Sequence, residues 1–216
     1  NPSVKTELWN GTNWTEVNNV NTGRYEIGSA GVLNTAALIF GGQSTPSNNP
    51  AVTELWNGTN WTEQNDLSTG VRQQGSAGTN TNALSFGGET AASDRVTTME
   101  EWIVGVPIGI WSTGGSLNTA RMGIGGLGIQ TSSLAAGGHT ATAYVGVTEL
   151  YNGSNWTEVN DMTTGRAYSA AAGTTTAGLV FGGSDPSTGK TETWNGTNWT
   201  ETTDLNQARN VLGGSG

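Results

Sequence analysis

The chain has no cysteine and a single histidine, His139, among its 216 residues. Without cysteine there is no disulfide, no thiol nucleophile and no thiolate-held metal. One histidine cannot assemble a zinc site that needs three or four His, Cys or carboxylate ligands together. Basic residues are also scarce. Lys and Arg total 8 against 17 Asp and Glu, for a net charge of −9. A nucleic-acid surface requires a basic patch, and none can be built here. An anionic membrane surface is disfavoured for the same reason. No apolar run approaches the roughly 18 residues of a spanning helix, so no membrane insertion is expected. No stretch sustains a helical period with a cap. Asn1 is preceded by no Met and no signal-like segment, so a mature or excised product is expected.

What the chain does have is repetition. Thr6 to Glu16 reads TELWNGTNWTE, and Thr53 to Glu63 repeats it unchanged. Thr148 to Glu158 reads TELYNGSNWTE, Thr191 to Glu201 reads TETWNGTNWTE, and a worn copy occupies Met99 to Trp111. Aligned on Glu7, Glu54, Glu101, Glu149 and Glu192, the copies are 47, 47, 48 and 43 residues apart. Gly-Gly recurs at Gly41-Gly42, Gly87-Gly88, Gly137-Gly138 and Gly182-Gly183. An Arg precedes a small-residue stretch at Arg24, Arg121, Arg166 and Arg209, with Val71-Arg72 slipped by one place. Self-similarity at this period marks a repeat architecture, which makes one domain over 1–216 the natural reading. Its units run 4–51, 52–96, 97–146, 147–189 and, in part, 190–216.

Each unit holds four short strand candidates, in the first Gly28 to Val32, Thr35 to Phe40, Val52 to Trp56 and Trp61 to Gln64. Turn-rich Gly, Asn, Ser, Thr and Pro separate them, so the chain reads as all-β. Asn-Gly at Asn10-Gly11 and its copies predicts two-residue hairpin loops, pairing Trp9 with Thr12. A four-residue loop would set Glu7 opposite Glu16, where like charges are unfavourable. In either register Glu7, Trp9, Trp14 and Glu16 share one face and Leu8, Thr15 and Val17 the other. Apolar groups on both faces suit a sheet sandwiched between two others, as in a propeller blade.

These residues resemble the kelch-type β-propeller repeat. The matching positions are Arg24, Gly41-Gly42, Trp9 or Trp56, and Trp14 or Trp61, although the aromatic-to-Trp loop is shorter here. The resemblance implies a kelch-like β-propeller and nothing about activity. The wording TELWNGTNWTE…FGG also resembles repeat proteins of tailed bacteriophages, notably marine ones. That likeness implies a virion, tail or fibre component. Five outer hairpins and four complete inner pairs predict five blades, the closing one shared by N- and C-terminal strands. Alternatively, the natural polypeptide continues beyond Gly216 to supply the missing strand.

Candidate chemistry is sparse. His139 follows a Gly-Gly and has no nucleophile elbow to serve, so it reads as a loop histidine. The paired Glu residues recur in every unit, whereas a catalytic pair should be singular. They read as solvated or Arg/Lys-paired strand carboxylates, with cation binding as a lesser reading. Trp9, Trp56, Tyr151 and Trp194 either pack between blades or stack on sugars. Gly123 to Gly128 contains a dinucleotide-like string without a βαβ unit, so no cofactor is expected. The third unit is exceptional, with an apolar insert of Ile103, Val104, Val106, Pro107, Ile108 and Ile110 between Trp102 and Trp111. It is either an interaction loop or a cover for the neighbouring blade. The expectation is a non-enzymatic virion component serving adhesion or assembly, localised to the virion or extracellular. Its expected partners are other virion proteins or host-surface glycans, and a homo-oligomer is allowed. The alternative is a secreted bacterial carbohydrate-binding propeller.

Overall fold

The computed structural model describes residues 2–45, 48–105, 108–184 and 187–214. Val106 and Pro107 of the expected interaction loop lie outside them. Every described element is a β-strand. The hairpin β1 (Thr6–Trp9) and β2 (Trp14–Val17) stands by itself. The first blade is β3 (Gly28–Leu33), β4 (Ala36–Phe40), β5 (Thr53–Trp56) and β6 (Trp61–Glu63). A short β7 (Val71–Arg72) precedes the second blade, which opens with β8 (Gly75–Gly78) and β9 (Asn82–Phe86). After β10 (Glu89–Thr90), which pairs back to β7, it continues with β11 (Met99–Val104) and β12 (Gly109–Thr113). The third blade is β13 (Gly125–Ile129), β14 (Ser132–His139), β15 (Tyr144–Tyr151) and β16 (Trp156–Val159). The fourth is β17 (Ala170–Thr174), β18 (Ala177–Phe181), β19 (Thr191–Trp194) and β20 (Trp199–Glu201). Each blade is an antiparallel meander, and the innermost strands β3, β8, β13 and β17 pack in succession around one axis. This is a β-propeller.

The outer hairpins turn differently from the two-residue expectation. Glu7 lies opposite Glu16 and Trp9 opposite Trp14, which leaves a four-residue loop. The same register recurs in the first, third and fourth blades. The Asn side chain makes this loop. Asn10 Oδ1 accepts the backbone N–H groups of Thr12 and Asn13, both at 2.9 Å. Gly11 supplies the positive φ of 96°. The register also brings the two indoles together, 5.5 Å apart for Trp9–Trp14 and 5.3 Å for Trp56–Trp61. In the fourth blade the facing carboxylates are drawn apart by separate cations: Lys190 reaches Glu201 at 2.7 Å, while Glu192 turns to Arg166. Aromatic pairing and side-chain capping thus outweigh the like-charge cost.

The core lies in the seams between blades. Leu38, Phe40, Leu67 and Trp102 fill the first seam. Phe86, Met99, Tyr151 and Trp156 fill the second, and Leu134, Val180, Trp194 and Trp199 the third. Each fully buried aromatic contributes about 1.5–3 kcal/mol. Indole N–H groups stitch neighbouring blades. Trp61 Nε1 donates to Thr6 Oγ1 at 3.0 Å, Trp111 Nε1 to Thr53 Oγ1 at 2.9 Å, and Trp199 Nε1 to Thr148 Oγ1 at 3.0 Å.

The Gly-Gly landmarks are also inter-blade links. The second glycine donates its N–H to the carbonyl at the next unit's Arg position: Gly42 to Val71 at 2.8 Å and Gly138 to Arg166 at 2.9 Å. A Cβ on the first glycine, Gly41, would fall 2.6 Å from that Val71 oxygen, so no other residue fits. Nearer the axis runs a chain of left-handed residues, Glu26, Gln73, Gly123, Tyr168 and Val211. Gln73 N donates to Glu26 O at 3.0 Å, Gly123 to Gln73 and Tyr168 to Gly123 at 2.8 Å, and Val211 to Tyr168 at 2.9 Å. Five units thus contribute to the ring, and four of them are complete blades. Residues 209–214 occupy the inner place of the fifth position. The β1–β2 hairpin beside the first blade holds the outer place, and among the described residues no second strand lies between them.

Candidate functional site

Two features depart from the repeat's regularity, and they are the candidate sites. The first is the β11–β12 hairpin. Ile103 pairs with Ile110 and Val104 with Gly109, so the strands run on past the aromatic pair Trp102–Trp111. The other hairpins turn at this point through Asn-Gly. Here Ile103, Val104, Ile108 and Ile110 are 44%, 42%, 49% and 54% exposed. The base of the hairpin is fixed. Trp102 is fully buried and donates Nε1–H to the Asn80 carbonyl at 3.1 Å. Gly109 lies under its ring, where a Cβ would fall 1.9 Å from Trp102 Cζ2. Trp111 packs edge-on to Phe40 at 4.8 Å. The described apolar side chains of the insert are therefore presented to solvent on a rigid base.

The second feature is a cavity of about 110 Å³ at the axis, to which the first four units and the 209–214 segment contribute residues. Gln73 Oε1, Gln74 Oε1 and Ser169 Oγ are buried there without hydrogen-bond partners among the described residues. Gln74 is oriented by Nε2, which donates to the Phe40 carbonyl at 3.0 Å. A space of this size takes a few waters, which such acceptors would bind. Burial raises the Tyr168 phenol above its ordinary range, and Tyr144 and Glu26 add to the effect. At one side Arg72 joins Glu26, Glu89 and Gln43, and Arg95 also reaches Glu89. This cluster was hidden in the sequence as a misplaced Arg. Val71 fills the place of the other units' arginine, and Arg72 points elsewhere.

The recurring acids have a structural task. Glu54 accepts from Arg24 at 2.7 Å and from the Asn21 N–H at 2.7 Å, both side chains of the ion pair being buried. Arg121–Glu149 and Arg166–Glu192 repeat the arrangement. In the second blade the equivalent carboxylate is Glu100, not Glu101, because Trp102 fixes the register two residues later. Among the described residues Glu100 receives only the Ser68 N–H, at 2.9 and 3.2 Å. Glu101 instead accepts from the Tyr151 hydroxyl.

The sugar-stacking alternative fares poorly at three of its four positions. Trp56, Tyr151 and Trp194 are buried in the seams, at 3%, 1% and 3% exposure, so their ring faces are not available to a pyranose. Trp9 is open because it lies in the isolated hairpin. His139 ends β14 with its ring 4.6 Å from that of Tyr144. No cluster of three or more His, Cys, Asp or Glu side chains suited to a metal exists among the described residues.

The fold defines a β-propeller built of repeats. The solved structure of YjhT is similar, with a TM-score of 0.72 over 88% of this chain and 72% of that one, at 11% identity. Such identity establishes the shared fold alone. No protein family matches the chain. No curated protein is similar to it above chance.

Proposed function

We propose that the chain is a non-enzymatic structural module of a bacteriophage virion, a decoration, tail or fibre element that makes an assembly or adhesion contact. The observation that carries this reading is the β11–β12 tip, an exposed apolar cluster on a rigid base where sister hairpins carry polar turns. Contiguous exposed apolar side chains mark protein contact surfaces. The buried acids support it as well, since Glu54, Glu149 and Glu192 are occupied in holding blades together. The kelch-like spacing and phage-like wording of the repeat point the same way. The natural partner is another virion protein with an apolar recess, and the place of action is the particle surface.

Particle fractionation tests the proposal. Antibody against the chain should stain the sedimented particle fraction. Recovery of the chain only as free protein in the medium, with binding on a glycan array, would overturn it for the carbohydrate-binding alternative.

A further inference from the structure

We infer that the cavity at the axis is a binding site for one small uncharged polyol, about the size of glycerol. Each unit contributes two consecutive residues to its wall. The first of each pair belongs to the left-handed ring, and the second ones are Ile27, Gln74, Ile124, Ser169 and Leu212. These five positions are equivalent in the repeat, and their side chains explain the space. A Cβ on Gly41, Gly87 or Gly182 would fall 2.5 Å from Gln74 Nε2, 2.6 Å from Ile124 Cδ1 or 2.4 Å from Leu212 Cδ1. Each of these long side chains thus fills the seam up to the Gly-Gly of the preceding unit. Ser169 is too short to do the same. Met162 is the side chain that meets Gly137, its Cε 3.0 Å from where a Cβ would lie. The shortfall at Ser169 leaves room at the axis.

Two kinds of surface face that room. Ile27, Ile124 and Leu212 form an apolar wall. Opposed to it are the acceptors Gln73 Oε1 and Gln74 Oε1 and the Ser169 hydroxyl, without partners among the described residues. Gln74 and Ser169 are only 6% and 9% exposed. The Gln74 amide cannot turn to suit water, because Nε2 is committed to the Phe40 carbonyl at 3.0 Å. Its Oε1 therefore calls for a donor from the cavity. A few convergent polar groups set in an apolar wall are the makeup of a small-molecule site.

The lining also selects the occupant. A buried water needs about two to four polar partners, and the apolar wall offers none. A molecule with O–H groups on one side and C–H groups on the other satisfies both surfaces. Among the described residues Glu26 is the one charged residue of the lining, and it is already paired with Arg72 at 3.0 Å. An ammonium or carboxylate buried here finds no free counter-ion, so the occupant is uncharged. The volume of about 110 Å³ sets the size. It is below the roughly 150 Å³ of an apolar cavity that accepts benzene. The site shares no residue with the β11–β12 tip, so it stands or falls separately from the assembly contact.

The experiment titrates glycerol into the isotopically labelled intact chain and follows the backbone amide of Ser169 and the side-chain amide of Gln74 by NMR. Two probes with as many heavy atoms as glycerol are compared with it. Dimethoxyethane has no donor, and aminopropanediol carries an ammonium in place of one hydroxyl. The expected result is saturable one-site binding of glycerol with a dissociation constant in the millimolar range, on the order of 1 mM to 10 mM. Both other probes should bind at least about tenfold more weakly. Ser169→Leu, which places the residue of the fifth unit in the fourth, should abolish the shifts while the rest of the spectrum keeps its native dispersion. Shifts that rise linearly with glycerol and never saturate, equal or tighter binding of either other probe, or binding that survives in a folded Ser169→Leu variant would each overturn the inference. The comparison of the three probes on the native chain decides it even where the variant does not fold.

Discussion

Trp156 and Met99 share the buried cluster at the seam of the second and third blades, and among the described residues the Trp156 indole N–H has no partner. At the other seams the residue in Met99's place is a threonine, and its hydroxyl accepts the indole proton. One substitution in the repeat has exchanged a hydrogen bond for apolar packing. Leaving a buried donor unmet costs about 1–3 kcal/mol. Thr148→Val should therefore destabilise the chain by about 1–3 kcal/mol in urea unfolding. The cycle Thr148→Val with Trp199→Phe should show a coupling of about 1 kcal/mol. The cycle Met99→Val with Trp156→Phe should lack that hydrogen-bond term.

The buried carboxylates separate into two classes. Glu149 is paired with Arg121, whereas Glu100 meets only a backbone N–H among the described residues. Glu149→Gln strands a buried guanidinium and should cost about 3–5 kcal/mol. Glu100→Gln strands no cation and should cost about 1–2 kcal/mol. Equal losses in denaturant unfolding would contradict this division of roles.

Glycines at positive φ test whether the Gly-Gly link is a contact or only a conformation. Gly11 and Gly88 have nearly the same φ, 96° and 99°. A Cβ on Gly11 would meet nothing within 4 Å, whereas a Cβ on Gly88 would lie 2.8 Å from the Arg72 carbonyl. Gly11→Ala should cost about 1–2 kcal/mol from backbone strain alone. Gly88→Ala should cost clearly more, read as a larger drop in the unfolding midpoint.

Alkaline pH probes the second seam. Burial raises the Tyr151 phenol well above its ordinary value of 10.0, and the hydrogen bond and charge of Glu101 raise it further. The folded state thus holds this proton more tightly than the unfolded chain. The resulting stability is complete below pH 10.0 and is lost as pH rises through the folded-state value. Tyr151→Phe should lower stability at neutral pH by about 1 kcal/mol through the lost hydrogen bond and flatten the decline above pH 10.

Much of this architecture was legible because the repeat spells out its turns. The strands of the first unit fall within a residue of their expected bounds, and Gly-Gly marks every completed second strand. The hairpin register was not legible. Asn-Gly is usually a two-residue turn signal, but here the Asn10 side chain caps a longer loop and Trp9 stacks beside Trp14. Consecutive Glu100 and Glu101 hid which one occupies the seam until the register of Trp102 was known. The left-handed ring at the axis carries Glu26, Gln73, Tyr168 and Val211, residues without the glycine signature of positive φ. That conformation is imposed by the bond from each blade to the next, which no local sequence pattern records. The exposed insert was visible by its length and apolarity, although its rigid base was not.

The account centres on the β11–β12 tip as the contact surface. The most direct test adds purified chain, native or Ile103→Ser/Ile108→Ser/Ile110→Ser, to sedimentable virion particles depleted of it. All three side chains are exposed, so the unfolding free energy should stay within about 1 kcal/mol of native. The account predicts that the native chain sediments with the particles and the variant stays in the supernatant. A folded variant that cosediments as the native chain does would contradict it.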